Sequence, residues 1–549
     1  MRRIVRRPWR TIIVSVIALL GAAAGHAQER RDALEALERE RTQQIRDAQL
    51  CSTPQGFGAG AVAWQAPVAG ETPCFPIRHV EWLAAPARFQ AVLSDLGAFT
   101  EACLGVQGLE RLRRNLEARL AALGYVTSSV GLPAQNLADG TLRLQLHLGR
   151  IARIEKRGPA AAISGNALAV HAGEVLDLRD VEQSLENLSR LPSQAAQVQI
   201  EAAESADESV LVLAAAGGRR WRIGVGADNA GTRDFGRWQA SAQLVLDAPL
   251  GLSDQLSAYI AGPAHGGGRR YQRTGIASYS IPWGRHLFSL SGSRSEHARP
   301  IPGLSTDFSE HGHDSSLQAK WQWTAWRSAN ARWAVWLGAT QRRTRNFIDD
   351  VELLLQRRNL RSNDWGLNGW WRQALGEFQL DYERAVGIRQ PLGDDFAIAP
   401  PPLTHTARAQ LSWQHDAGRW RHEVRLAWAG VRDPASGADL QALGSRWTVR
   451  GFDAQGLLSG TEQLTLKQDW RGPGVAWRAG WACQPYAALD LGRIAGSPLA
   501  GRTLAGAAAG LRIQAGGLSG DLALAAPLHK PQGFDAASAV LYASFNATY

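Results

Sequence analysis

SLQAKWQWT, residues 316–324, decides the reading of this chain. Leu317, Ala319, Trp321 and Trp323 stand at alternate positions, with Gln318, Lys320, Gln322 and Thr324 between them. A period of two sends successive side chains to opposite faces of a strand, so one face is apolar and the other wet. The pattern recurs in RWQASAQLVLD (237–247), where Trp238, Ala240, Ala242, Leu244 and Leu246 oppose Gln239, Ser241, Gln243 and Asp247. It recurs again in ARAQLSWQ (407–414) and in the closing VLYASFNATY (540–549), where Leu541, Ala543, Phe545, Ala547 and Tyr549 share a face.

A soluble β-sandwich alternates as well. Polar residues on the second face of strand after strand, 18 of the 21 tryptophans at or beyond Trp221, and an aromatic final residue favour a wall facing lipid. At roughly 20 residues per strand and turn, residues 219–549 predict a transmembrane β-barrel of about 16 antiparallel strands around a wide, polar lumen. The tryptophans are expected at strand ends, as girdles at the two membrane surfaces.

The chain opens with MRRIVRRPWRTIIVSVIALLGAAAGHA: arginines at 2, 3, 6, 7 and 10, an apolar run from Thr11 to Leu20, and a small-residue ending. This predicts a secretory signal peptide over 1–27, cleaved after Ala27. Of the formal charge of +10, the five leader arginines account for half, leaving +5 spread thinly over the rest. Without a dense basic patch or a nucleic-acid motif, no nucleic-acid partner is expected. No later apolar run approaches the roughly 20 residues of a spanning helix.

Residues 28–50 are rich in charge and helix formers, with Leu34, Leu37 and Ile45 as scattered apolar positions. A helix polar all round is either solvated or housed in a polar cavity. Residues 51–72 have the composition of a tether.

Two α+β units follow, over 73–149 and 150–218, each in the order strand, helix, strand, strand. In the first, CFPIRHVEW is a strand and Leu109, Leu112, Leu116, Leu120 and Leu123 mark a helix that Gly124 ends. Leu142, Leu144, Leu146 and Leu148 then alternate. In the second, Val181, Leu185, Leu188 and Leu191 share a helix face stopped by Pro192, before the strands AAQVQIEAA and SVLVLAAA.

Four cysteines allow three full pairings. Cys74 and Cys103 bracket the first unit and are the favoured disulfide, worth about 3 kcal/mol in the chain-entropy model. Cys51 and Cys483 stay unassigned. No nucleophile elbow, phosphate loop or metal-ligand spacing occurs. GSRSE and GLSGD lack the Gly-x-Ser-x-Gly frame, and the histidines of HGHD (311–314) are read as residues of an extracellular loop. No catalytic residue, metal or cofactor is expected.

Two modules ahead of a barrel, with GSRWTVRGFDAQGLLSG at 444–460, resemble the two-partner secretion transporters of bacterial outer membranes, the haemolysin secretion/activation family. GADNAGTRDFGRWQ (226–239) is similar to that family's barrel entry, and the stretch from Pro485 to Pro531 is similar to its C-terminal region.

The resemblance implies a Gram-negative outer-membrane pore that passes one large partner exoprotein, an adhesin, haemolysin or contact-dependent toxin, unfolded to the cell surface. The modules would be periplasmic POTRA domains that capture the partner's N-terminal secretion domain, and the polar helix a plug in the barrel. A long loop at about 431–460 would fold into the lumen and present Val449, Arg450, Gly451 and Phe452. Arg450 would meet Asp490 in the strand motif Ala488-Leu489-Asp490-Leu491-Gly492, whose first position is usually Phe or Gly.

Contact with outer-membrane lipids and lipopolysaccharide is also implied. So is contact with the barrel-assembly machinery during biogenesis, for which Phe545 and Tyr549 would form the C-terminal signal. A barrel-assembly factor is the rival reading, although such factors usually carry more POTRA modules. A diffusion porin needs none.

Overall fold

The computed structural model describes residues 64–549 apart from 69, 84–85, 88, 90–98, 266–267, 304–305, 390–402, 435–438, 455, 479 and 497–501. The leader, the polar helix of 28–50 and Cys51 lie outside the described residues.

The first module comprises β1 (His79–Leu83), α1 (Val106–Leu123), β2 (Ser129–Gly131) and β3 (Thr141–His147), with sheet order β1-β3-β2. Leu112, Leu116 and Leu120 meet Val130, Leu142, Leu144 and Leu146 in one core. The leucine stripe ends where the helix does: Leu123 is exposed, and Gly124 at φ 112° returns its N–H to Leu120 and Ala121.

At the other end of α1 no residue of its own caps the helix. Glu71 does so from a distance, accepting the N–H groups of Gly105, Gln107 and Gly108 at 2.9, 2.7 and 2.8 Å. Partial burial pushes this carboxyl up, but the three donors and Arg111 outweigh it and hold the group below its usual value. The end of the 51–72 stretch is therefore part of the module rather than a free tether. Asn115 and the backbone of Gln65 exchange two hydrogen bonds, at 2.8 and 3.2 Å. A disulfide joins Cys74 to Cys103.

The second module comprises β4 (Arg150–Arg157), α2 (Leu178–Ser189), β5 (Ala196–Ala202) and β6 (Glu208–Ala215), in the order β4-β6-β5. Val181, Leu185 and Leu188 face its core. The polar side of α2 is buried as well, including Glu182, Gln183, Glu186 and Asn187. It docks on the rim of the barrel. Glu186 pairs with Arg327 and Arg332, Asp180 lies 2.5 Å from Arg285, and the Asn187 amide donates to the Gly284 carbonyl at 2.7 Å.

The barrel is closed by sixteen antiparallel strands. The first five are β7 (Trp221–Asp228), β8 (Gln239–Asp247), β9 (Gln255–Pro263), β10 (Tyr271–Trp283) and β11 (His286–Pro302). Then come β12 (Asp307–Arg327), β13 (Ala331–Ile348), β14 (Arg358–Gln373), β15 (Gly376–Arg389), β16 (Leu403–Ala417) and β17 (Trp420–Arg432). The last five are β18 (Glu462–Arg471), β19 (Trp481–Ala495), β20 (Thr503–Ala515), β21 (Leu518–His529) and β22 (Val540–Thr548), and β22 pairs with β7. Leu317 and Leu337 point outward and are exposed, whereas Gln318 faces in and is buried.

Strands β11 to β14 are 17, 21, 18 and 16 residues long. A membrane crossing takes about 10, so their far ends project beyond the bilayer. HGHD falls on this projecting part of β12 and not in a loop, because the strand pairing continues after the apolar band stops. His311 stacks on Phe347 at 5.0 Å. No metal-holding cluster of His, Cys, Asp or Glu occurs among the described residues.

The stacked tryptophans gather at the module end of the wall. Trp333 stacks on Trp371 at 5.6 Å, Trp371 on Phe378 at 5.3 Å, and Trp470 on His422 at 4.9 Å. One girdle is thus well developed.

Candidate functional site

Between β17 and β18 the chain leaves the far rim and turns back into the lumen. Gln441–Leu443 pairs with Leu458–Gly460 at the loop's neck. Beyond it, the Thr448 hydroxyl accepts the N–H groups of Gly444 and Ser445, both at 3.1 Å, which closes a tight turn just before the tip. Leu443, Val449, Phe452 and Leu458 form the apolar underside of the loop and pack on Ile494 and Leu504 of the inner wall. The rings of Phe452 and Phe534 meet edge to face with centroids 5.7 Å apart.

This packing aims Arg450 at the wall. Its Nε donates to Asp490 Oδ2 at 2.7 Å and its Nη2 to Oδ1 at 2.5 Å, a two-pronged pair. The backbone N–H of Arg450 donates to the same Oδ2 at 2.8 Å. Its Nη1 reaches Asp469 Oδ1 at 2.5 Å. Asp490 is essentially fully buried.

Two further groups hold the tip. Lys467, directly across the β18–β19 ladder from Asp490, donates its ammonium to the Trp447 carbonyl at 2.9 Å. Arg450, Lys467, Asp469 and Asp490 thus form a quartet of two cations and two carboxylates. A neutral group of this kind tolerates a partly dehydrated site that any one charge alone would not. The Tyr542 hydroxyl accepts the Gly451 N–H at 3.0 Å and donates to the Phe452 carbonyl at 2.8 Å.

Three glycines make the close approach feasible. Gly451 has φ 102°, a left-handed conformation that side chains disfavour. A Cβ on Gly492 would lie 2.6 Å from Leu443. On Gly506, the ladder partner of Asp490, it would lie 1.7 Å from the Arg450 carbonyl oxygen. The loop backbone rests directly on the strand at Gly506.

Ala488, the departure from the strand motif, sits in a cluster with Tyr486, Ala508, Ala523, Ala525 and Tyr542. Small residues there leave room for the Tyr542 ring that reaches the tip. Asp469, Lys467, Tyr542 and Gly506 are not singled out by sequence, since each lies on a different strand from Asp490 and carries no local motif.

Phe545 points outward on β22, and Tyr549 lies against Trp221 at 5.8 Å beneath the Arg219 guanidinium. Among the described residues Cys483, on β19, has no disulfide partner.

The family described as haemolysin secretion/activation protein ShlB/FhaC/HecB matches residues 207–513. A ShlB-type POTRA domain matches 75–149 and a further POTRA domain 150–202. The outer membrane transporter CdiB-2 of Burkholderia pseudomallei (strain 1026b) is 31% identical over 510 residues, 85% of each chain. The haemolysin transporter protein ShlB of Serratia marcescens is 28% identical, covering 77% of this chain and 75% of its own length.

Among solved structures, CdiB from Escherichia coli superposes with a TM-score of 0.84 at 23% identity, over 95% of this chain and 98% of its own, and shares the fold. With two POTRA modules, an apolar outer wall and a polar lumen, the chain is an outer-membrane β-barrel that belongs to the haemolysin secretion/activation family of ShlB, FhaC and HecB.

Proposed function

We propose that this protein exports one large partner exoprotein across the outer membrane, and that the Arg450–Asp490 contact fastens the inward loop on which export depends. The POTRA modules capture the partner's N-terminal secretion domain in the periplasm, and the partner crosses the lumen unfolded and folds outside. No nucleotide is needed on this account. A polar lumen makes weak, exchangeable contacts with an extended chain, and folding at the surface prevents return.

The observation that carries the reading is a buried, charge-neutral quartet at the loop tip, built from Arg450 of the loop and from the neighbouring strands β18 and β19. A mere diffusion pore has no use for such a fastening, nor for two periplasmic modules. Deleting the gene tests the proposal. Surface export of the partner should stop while the general outer-membrane protein profile stays normal. Unchanged export with failing outer-membrane assembly would favour a barrel-assembly factor instead.

A further inference from the structure

The outer wall carries charge where a lipid-facing wall should stop being apolar. On β13 the outward positions run from Trp333 in the periplasmic girdle through Val335, Leu337 and Ala339 to Gln341, Arg343 and Arg345. On β14 they run from Trp371 back through Leu367 and Trp365 to Asn363 and Arg361. Arg343 and Arg361 each lie about ten residues from the girdle. At about 3.3 Å per residue and a tilt of about 40° that is roughly 25 Å, the height of the apolar band. Both arginines are exposed and stand at the outer-leaflet boundary.

They belong to a row. Arg294 on β11 is directly opposite Ser315 on β12, Ser315 is opposite Arg343, and Arg343 is opposite Asn359 on β14, one step diagonal to Arg361. Neighbouring strands are about 4.8 Å apart, so the row spans roughly 14 Å with hydroxyl and amide donors between its guanidinium groups. Glu296 pairs with Arg294 at 2.7 Å, and Glu352 approaches Arg345 at 3.7 Å, so two carboxylates share the surface with these arginines. Outward cations also stand near the far ends of β17 (Arg432) and β19 (Arg493), whereas outward positions near the far ends of β20 and β22 are Ala505, Ala507, Leu541 and Ala543.

We infer that Arg294, Arg343 and Arg361, with Ser315 and Asn359, form a binding surface for the phosphate groups of the phosphorylated glycolipid of the outer leaflet. Guanidinium groups suit phosphate because they donate two parallel hydrogen bonds while keeping full charge. At this height the acyl chains lie against Leu317 and Leu337, and the phosphorylated sugar lies against the row. The side of the barrel with projecting strands is thereby anchored to the leaflet.

The test uses the full-length protein purified in mild detergent, with bound lipid A counted by native mass spectrometry. The triple variant Arg294→Ser/Arg343→Ser/Arg361→Ser should retain at least about tenfold less lipid A than wild type, while Arg153→Ser on the periplasmic module retains the wild-type amount. Heat-modifiable migration shows whether each variant is folded. In a parallel thermal-unfolding assay, lipid A should stabilise wild type, whereas dephosphorylated lipid A and inorganic phosphate should not. Equal retention by the folded triple variant would overturn the inference, as would equal stabilisation by dephosphorylated lipid A. Saturation by inorganic phosphate at low concentration would mark a general anion site and overturn the lipid assignment. If the triple variant does not fold, the triple Arg→Lys variant replaces it: keeping charge without the forked geometry, it should fall between wild type and background, and full wild-type retention would count against the surface.

Discussion

Asp490 holds Arg450 by side chain and main chain together: Nε and the backbone N–H of Arg450 lie 2.7 and 2.8 Å from the same carboxylate oxygen. The carboxylate therefore fixes where the loop backbone lies as well as where its charge goes. Arg450→Lys, which keeps the charge and loses the fork, should restrain the loop less than wild type.

Removing one partner should be costly, because the other stays buried. Arg450→Ala or Asp490→Ala should each weaken docking of the loop by about 3–5 kcal/mol, and the double variant by less than the sum of the two. Hydrogen exchange of residues 444–460 in the purified full-length protein reads this directly. Additive effects would show that the two residues act independently.

Gly506 should tolerate no side chain while the loop is docked. A Cβ there would meet the Arg450 carbonyl oxygen at 1.7 Å, and backbone on both sides leaves nothing flexible to move. Gly506→Val should expel the tip, seen as faster proteolysis of the loop and larger single-channel conductance in a barrel that still inserts. Conductance and proteolysis like wild type would contradict the docked geometry.

Tyr542→Phe removes a hydroxyl that serves two backbone groups of the tip. The loss should be about 1–3 kcal/mol of loop docking, since the Gly451 N–H and the Phe452 carbonyl stay buried without that partner. The exchange rate of the Gly451 amide is the sensitive readout.

Acid should loosen the start of α1 in the first POTRA module. The Glu71 carboxyl is held below its usual value of 4.5, so its contribution is complete above that pH and is lost as pH falls through the lower folded value. In the full-length protein, the amides of Gly105, Gln107 and Gly108 should lose protection below about pH 4.5. Glu71→Gln should exchange faster already at pH 7 and respond less to acid.

The barrel was legible because a lipid-facing strand must repeat every two residues: SLQAKWQWT does so without exception, and RWQASAQLVLD departs only at Val245. The meeting of Arg450 with Asp490 could be anticipated only because a family motif marks both ends of a 40-residue separation. Lys467, Asp469, Gly506 and Tyr542 were not legible: their roles come from strand register and from a loop lying against them, which no local pattern records. The role of the acidic side of α2 was not legible for a related reason. Glu186 is indistinguishable from a solvated glutamate until the rim arginines Arg327 and Arg332 are placed beside it. HGHD misled because strands β11 to β14 outgrow the membrane, and their polar ends look like loop.

The most direct test of the account is the amount of cognate exoprotein reaching the surface of cells that carry wild type, Arg450→Ala or Asp490→Ala at equal levels of folded, heat-modifiable barrel. The account predicts that each substitution lowers export at least about tenfold and that the double variant is no worse than the poorer single one. Wild-type export by both single variants would contradict it.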